Sequence, residues 1–186
     1  MINFDFYTPT RILFGAGLEN EVGKQIVAFG GHKVMIVYGK KGGHIETSGL
    51  LDKVHKSLSD AGLSYVDLNG VVPNPRLSLV KEGIRLGRAE GIDFLLPIGG
   101  GSVIDTAKGI GYGIANDFEM EDLLYGRVKT DKNLPIGVIL TIAAAGSEMS
   151  SSMVLTIEDG MMKRSYGHDC SRPKFAIMNP ELTMTL

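Results

Sequence analysis

Apolar and polar positions along this chain change period at regular intervals. Compact apolar runs at Lys33–Tyr38, Ser64–Leu68 and Phe94–Ile98 predict strands, and each is followed by apolar residues on a helical spacing. After the first run, Leu50, Leu51, Val54 and Leu58 share one face of a helix reaching Ala61, with Thr47 or Ser48 as its cap and Gly62 as its stop. After the second comes a helix over Leu77–Glu90, closed by Gly91, and after the third a helix over Ser102–Ala115. Strands beginning near 34, 64 and 94 recur about every thirty residues, the size of a βαβ unit. Before these units, alternation of Ile2, Phe4 and Phe6 with Asn3 and Asp5 predicts an early strand. Arg11–Phe14 predicts a second strand, and Leu18–Phe29 a helix stopped by Gly30-Gly31. After them, Ile136–Thr141 predicts a strand, with weaker ones at Met153–Ile157 and Phe175–Met178. Asp117–Asn133 reads as a helix plus surface loop.

Strands alternating with helices imply an α/β fold, a Rossmann-like parallel sheet with helices on both faces. Ligands of such sheets bind outside the carboxyl ends of the strands. Three turns are therefore expected to converge there, Gly39-Lys40-Lys41, Pro73-Asn74-Pro75 and Gly99–Ser102, joined by the turn after Thr141.

Length and composition narrow this reading. A chain of 186 residues suits one well-packed domain and is short for two. The net charge of −2 gives no reason to expect a nucleic-acid or membrane surface, and no apolar run has the length of a membrane span. A single cysteine, Cys170, excludes an internal disulfide and suits the reducing cytoplasm. The 25 glycines are in excess and are expected at turns. The nine methionines are expected to fill gaps in the core.

The chemistry concentrates in GGGSVIDTAK, residues 99–108. Gly99, Gly100 and Gly101 strip side chains from a strand-to-helix turn, and the helix opening at Ser102 adds its positive end, a combination suited to a diphosphate. The alternative is a close-packed turn, and Ile104 stands where the dinucleotide fingerprint has its third glycine. Asp105 meets a ligand ribose or only complements the helix dipole, and Lys108 is its partner at i,i+3. Gly39, Lys40 and Lys41 follow a strand at the place where an NAD enzyme carries an acid. They are either a site for a 2′-phosphate or a solvated basic turn. Thr141–Glu148 offers small residues and the Thr141 and Ser147 hydroxyls to a flat ligand, or merely packs as a turn. Lys163 follows Asp159-Gly160 in a predicted hairpin. His32, His44, His55 and His168 lack metal-ligand spacing, and His168-Asp169-Cys170 offers only one loop's worth of ligands.

Taken together, FYTPTRILFGAG, PNP at 73–75, GGGSVIDTAK, TIAAAGSEMS at 141–150 and PKFAIMNPELTMTL resemble the iron-containing (group III) alcohol dehydrogenases, in particular their butanol dehydrogenase branch. The resemblance implies that residues 1–186 form the N-terminal dinucleotide-binding domain of a dehydroquinate synthase-like fold. The C-terminal helical domain, which holds iron or zinc through an aspartate and three histidines, has no counterpart in the chain. It implies an oxidoreductase half that binds NADPH, or NADH, for the reduction of aldehydes to primary alcohols, and that is inactive alone. By the same resemblance Gly39, Lys40, Lys41 and Asn74 surround the adenosine ribose. Gly100, Gly101 and Ser102 bind the diphosphate, with Asp105 nearby and Gly99 also in the cofactor site, Thr141, Ser147 and Lys163 contact the diphosphate or the nicotinamide ribose, and Leu182 packs near the nicotinamide. No catalytic or metal-binding residue maps onto the chain. Ala145 replaces a threonine of many members, and Ser150 an asparagine of some. The resemblance also implies a homodimer paired through Ile2–Phe6. Two alternatives remain, a non-catalytic nucleotide-binding module and a relative of glycerol dehydrogenase or dehydroquinate synthase.

Overall fold

Eight strands and six α-helices are joined by short 3₁₀ turns in the computed structural model, which describes residues 2–4 and 7–184. The strands are β1 (Arg11–Phe14), β2 (Lys33–Tyr38), β3 (Ser64–Leu68), β4 (Phe94–Gly99), β5 (Gly137–Leu140), β6 (Ser152–Ile157), β7 (Met162–Gly167) and β8 (Phe175–Met178). The helices are α1 (Val22–Ala28), α2 (His44–Thr47), α3 (Leu50–Asp60), α4 (Leu77–Glu90), α5 (Gly101–Ala115) and α6 (Met120–Leu124). Six strands form one parallel sheet in the order β1-β8-β5-β4-β2-β3, while β6 and β7 form a separate antiparallel hairpin.

The inner strands β2, β4, β5 and β8 are buried on both faces, and the period of two sorts their side chains into two cores. Met35 and Val37, Leu95, Val138 and Leu140, and Ala176 point to one side, where α4, α5, α6 and the hairpin cover them. Val34 and Ile36, Phe94, Leu96 and Ile98, Ile139, and Phe175 and Ile177 point to the other, under α1 and α3.

Several expectations change in detail. Leu18–Glu21 is a 3₁₀ turn entered through Gly17 in the left-handed conformation, so the first α-helix begins at Val22. Neither Thr47 nor Ser48 caps the next long helix. Thr47 ends the short α2, and Gly49, at φ 74°, sits at the N-cap of α3. Residues 2–4 carry no strand, and Ile2 and Phe4 are exposed; Asp5 and Phe6 lie outside the described residues. Several glycines lie inside helices rather than at turns. A Cβ on Gly87 or Gly113 would fall 2.3 or 2.1 Å from an isoleucine of the facing helix, so these residues let α4 and α5 approach closely. Within 117–133 the helix is the short α6, whose Met120, Leu123 and Leu124 are buried. No helix is long and apolar enough to cross a membrane, among the described residues.

Candidate dinucleotide cleft

The chain runs outward from β2 to β3 and then crosses back to β4 on the other side of β2. That reversal opens a crevice above the carboxyl ends of β2 and β4. A cleft of about 520 Å³ occupies this edge, built from the segments after β3, β4 and β5 and from the hairpin. Pro73-Asn74-Pro75 forms one wall, with Asn74 held in the left-handed region at φ 58° between two prolines. Ile142, Ala144, Ala145 and Ser147 form another, and Lys163 on β7 reaches in from the hairpin.

The floor is the start of α5. Gly100 is its N-cap, and its carbonyl accepts from the Val103 and Ile104 amides at 3.0 and 3.1 Å. The Gly101 and Ser102 amides precede the first intrahelical bond and are left for a ligand. The close-packing reading of the triple glycine holds at two of its three positions. A Cβ on Gly99 would lie 2.6 Å from Val103, and one on Gly100 2.1 Å from Ile142 Cγ2, so packing alone demands glycine there. On Gly101, which lines the cleft, a Cβ would lie 3.2 Å from Ser147 Oγ, so this glycine keeps the floor open.

Asp105 stands one turn into α5 and lines the cleft. Its Oδ2 accepts from the Val154 amide at 3.0 Å, whereas its Oδ1 is buried without a partner. Burial pushes its carboxyl up from the usual range, opposed by the Val154 amide, the Lys108 charge and the Ser147 hydroxyl. A buried acceptor without a donor fits a ligand hydroxyl or amide. The residue therefore does more than complement the dipole.

Lys108 is not the simple i,i+3 partner of Asp105. It is fully buried, and its ammonium donates to the carbonyls of Ser147, Ser150 and Ser152 at 2.9, 2.8 and 2.9 Å and to Ser150 Oγ at 3.2 Å. Desolvation lowers its pKa to about 8, against the Asp105 and Glu148 charges that raise it and with Arg172 that lowers it further.

The turn after β2 lies beside the cleft rather than in it. Gly39 accepts from the Gly70 amide at 2.8 Å, and Tyr38 from the amide of the cleft residue Val71 at 3.2 Å. Lys40 and Lys41 are exposed there. A carboxylate does reach this turn, which the local sequence does not reveal. Glu46, from α2, accepts from Tyr38 Oη at 3.0 Å and from the Gly42 amide at 2.7 Å. Thr141 follows β5 with its amide bonded to Gly99, at 3.2 Å, and its side chain is not among the cleft's lining. Leu182 packs against the core under α1 and α3 instead of lining the cleft. The remaining predicted residues, Asn74, Gly100, Gly101, Ser102, Asp105, Ser147 and Lys163, share the cleft. His168 Nδ1 accepts from the Cys170 amide at 3.2 Å, and no three metal-ligating side chains gather among the described residues.

A parallel sheet with a glycine-floored cleft at its switch point is the architecture of a nucleotide-binding α/β domain. The chain belongs to the iron-containing alcohol dehydrogenase family, whose model matches residues 9–180. It is 41% identical over its whole length to a probable NADH-dependent butanol dehydrogenase 2 of Bacillus subtilis, of which it covers 47%. It is 35% identical to the NADPH-dependent aldehyde reductase YqhD of Escherichia coli, again covering 47% of that protein. The crystal structure of NADH-dependent butanol dehydrogenase A from Thermotoga maritima superposes with a TM-score of 0.95 at 38% identity, over 99% of this chain and 46% of that one. The chain thus spans about half the length of the curated relatives it matches.

Proposed function

We propose that residues 1–186 are the dinucleotide-binding half of an oxidoreductase that interconverts aldehydes and primary alcohols, of the butanol type. The observation that carries this reading is the floor of the cleft, where two free amides at the start of a 15-residue helix meet Asp105 Oδ1, a buried acceptor with no donor.

The bound nicotinamide would carry the hydride between alcohol and aldehyde. This chain's residues bind and orient it. The Gly101 and Ser102 amides take the diphosphate, Asp105 accepts from a ribose hydroxyl, and Lys163 adds a positive charge from the hairpin side. Asn74 contributes its side chain at the adenosine end. Gly99, Thr141 and Leu182 act from behind the cleft surface, through the packing of β4, β5 and the second core. Holding the ring in one pose lowers the entropic part of the barrier.

For the choice of cofactor we favour NADPH. Lys40 and Lys41 are exposed in the turn beside the cleft, where the adenosine end would lie. The nearby Glu46 carboxylate accepts from Tyr38 and Gly42, which compete with ribose hydroxyls for it. The relatives divide between NADH and NADPH by name. An iron or zinc site does not fit the described residues, since no three ligating side chains meet. Reduction of substrate by residues 1–186 alone is not expected. A homodimer in the cytoplasm completes the proposal; the second reading is a stand-alone nucleotide-binding module.

Fluorescence titration with NADPH and with NADH tests the reading. Tighter binding of NADPH is expected, weakening with salt. Equal binding would remove the NADPH preference and keep the cleft, and absence of binding to both would overturn the assignment.

A further inference from the structure

We infer that Lys108 is a positioning residue, a buried ammonium clamp that holds the 147–152 loop, and through it the position of Ser147 in one wall of the cleft. The proposal rests on the dinucleotide reading only for what the wall contacts; the clamp itself stands on geometry.

Residues 147–152 form no helix and enter β6 only at Ser152, yet five of their six carbonyls are engaged. Lys108 takes those of Ser147, Ser150 and Ser152. Arg172 Nη1 donates to Met149 at 2.8 Å, and Ser171 Oγ donates to Ser151 at 2.7 Å. The His168 amide also donates to Ser151, at 3.1 Å. An irregular loop can be buried against a domain only if its backbone finds donors elsewhere, and here a single ammonium supplies the central share. Ser147, whose carbonyl is clamped, turns its hydroxyl over Gly101 on the cleft floor. Fixing the carbonyl therefore fixes one cleft wall relative to the start of α5, the helix that carries Lys108 itself.

An ammonium has three protons to donate and a neutral amine has two, with a lone pair that repels a carbonyl oxygen. Removing the ammonium by substitution thus leaves part of the loop without its donors. The charged groups acting on Lys108 are Asp105 from its own helix, Glu148 from the loop and Arg172 from the segment before β8. Burial holds its pKa down at about 8, below an exposed lysine. Opening the loop returns Lys108 to water and raises its pKa, so deprotonation favours the clamped loop over the opened one, and neither loop protection nor the thermal midpoint falls on this group's account as pH rises from 8.

The experiment follows hydrogen exchange of the 147–152 amides, as protection factors, together with NADPH and NADH affinity, in this chain and in Lys108→Met, Lys108→Gln and Lys108→Arg at pH 7. Lys108→Met is expected to show weak loop protection and about tenfold weaker affinity. Lys108→Arg, which keeps the charge and the donors, should recover part of both. Protection of the 147–152 amides in Lys108→Met equal to that in the unsubstituted chain overturns the clamp. Where Lys108→Met does not fold, the same comparison with Lys108→Gln decides it. If neither dinucleotide binds, the proposed function fails by itself, and loop protection in the variants still decides the clamp.

Discussion

Gly100 and Ile142 meet on the cleft floor so closely that a Cβ on the glycine would lie 2.1 Å from Ile142 Cγ2. They follow the paired strands β4 and β5, so their contact sets how near two of the cleft's segments come. Gly100→Ala is expected to destabilise the chain by about 1–3 kcal/mol through overpacking. Adding Ile142→Ala should return part of that loss, in a double-mutant cycle read by urea denaturation. Strict additivity of the two substitutions would refute the contact's role.

Asn179 and Glu19, 160 residues apart, are both buried, and Asn179 Nδ2 donates to Glu19 Oε2 at 3.1 Å. The other Glu19 oxygen lies 3.7 Å from Lys53 Nζ. Asn179→Ala should cost about 1–3 kcal/mol, because it strands a buried carboxylate oxygen. Glu19→Gln, which keeps a hydrogen-bonding partner for Asn179, should cost less. Denaturation midpoints of the two variants give the order, and the reverse order would discredit the pairing.

Two phenols govern the alkaline limit. Burial and the Glu46 bond push Tyr38 up to about 12, and burial likewise pushes Tyr112 up. Both lie above the pKa of a free phenol, so their stabilising contribution is complete below pH ~10 and is lost as pH rises from there through the folded-state values. Thermal midpoints should therefore drop steeply above pH ~10, and less steeply in Tyr112→Phe. A Tyr112→Phe profile parallel to that of the unsubstituted chain would assign the loss to other groups.

Replacing both Lys40 and Lys41 by alanine should weaken NADPH about tenfold while changing NADH little, with the difference shrinking as salt is added. Equal losses for both dinucleotides would mean that the turn attracts the diphosphate in general and does not read the 2′-phosphate.

Much of this was legible because period and punctuation are local. Lys33–Tyr38, Ser64–Leu68 and Leu77–Glu90 have the same bounds in sequence and structure, since each is an apolar run closed by glycine or proline. The cleft was legible in outline because the segments that build it follow strands of one parallel sheet. What stayed hidden depends on distant partners. Lys108 meets carbonyls 39, 42 and 44 residues later, and a backbone carbonyl carries no residue signature. Glu46 reaches Tyr38 by folding back from α2, and nothing local in the lysine-rich turn records it. Thr47 and Ser48 are good capping residue types, but Gly49 at φ 74° breaks the helix after them, which hydroxyl chemistry cannot foretell.

The place of β8 in the sheet bears on how the chain is made. β8 lies between β1 and β5, so Arg11–Phe14 has no neighbour to pair with until Phe175–Met178 arrives. At ribosomal speeds of about 5–20 residues per second, β1 waits roughly 8–30 s for its partner. Through that interval its row of amides and carbonyls is open to any other strand, including the same segment of a neighbouring nascent chain. The hazard in producing this protein therefore falls before β8 emerges, when β2, β3, β4 and β5 can already assemble and β1 cannot.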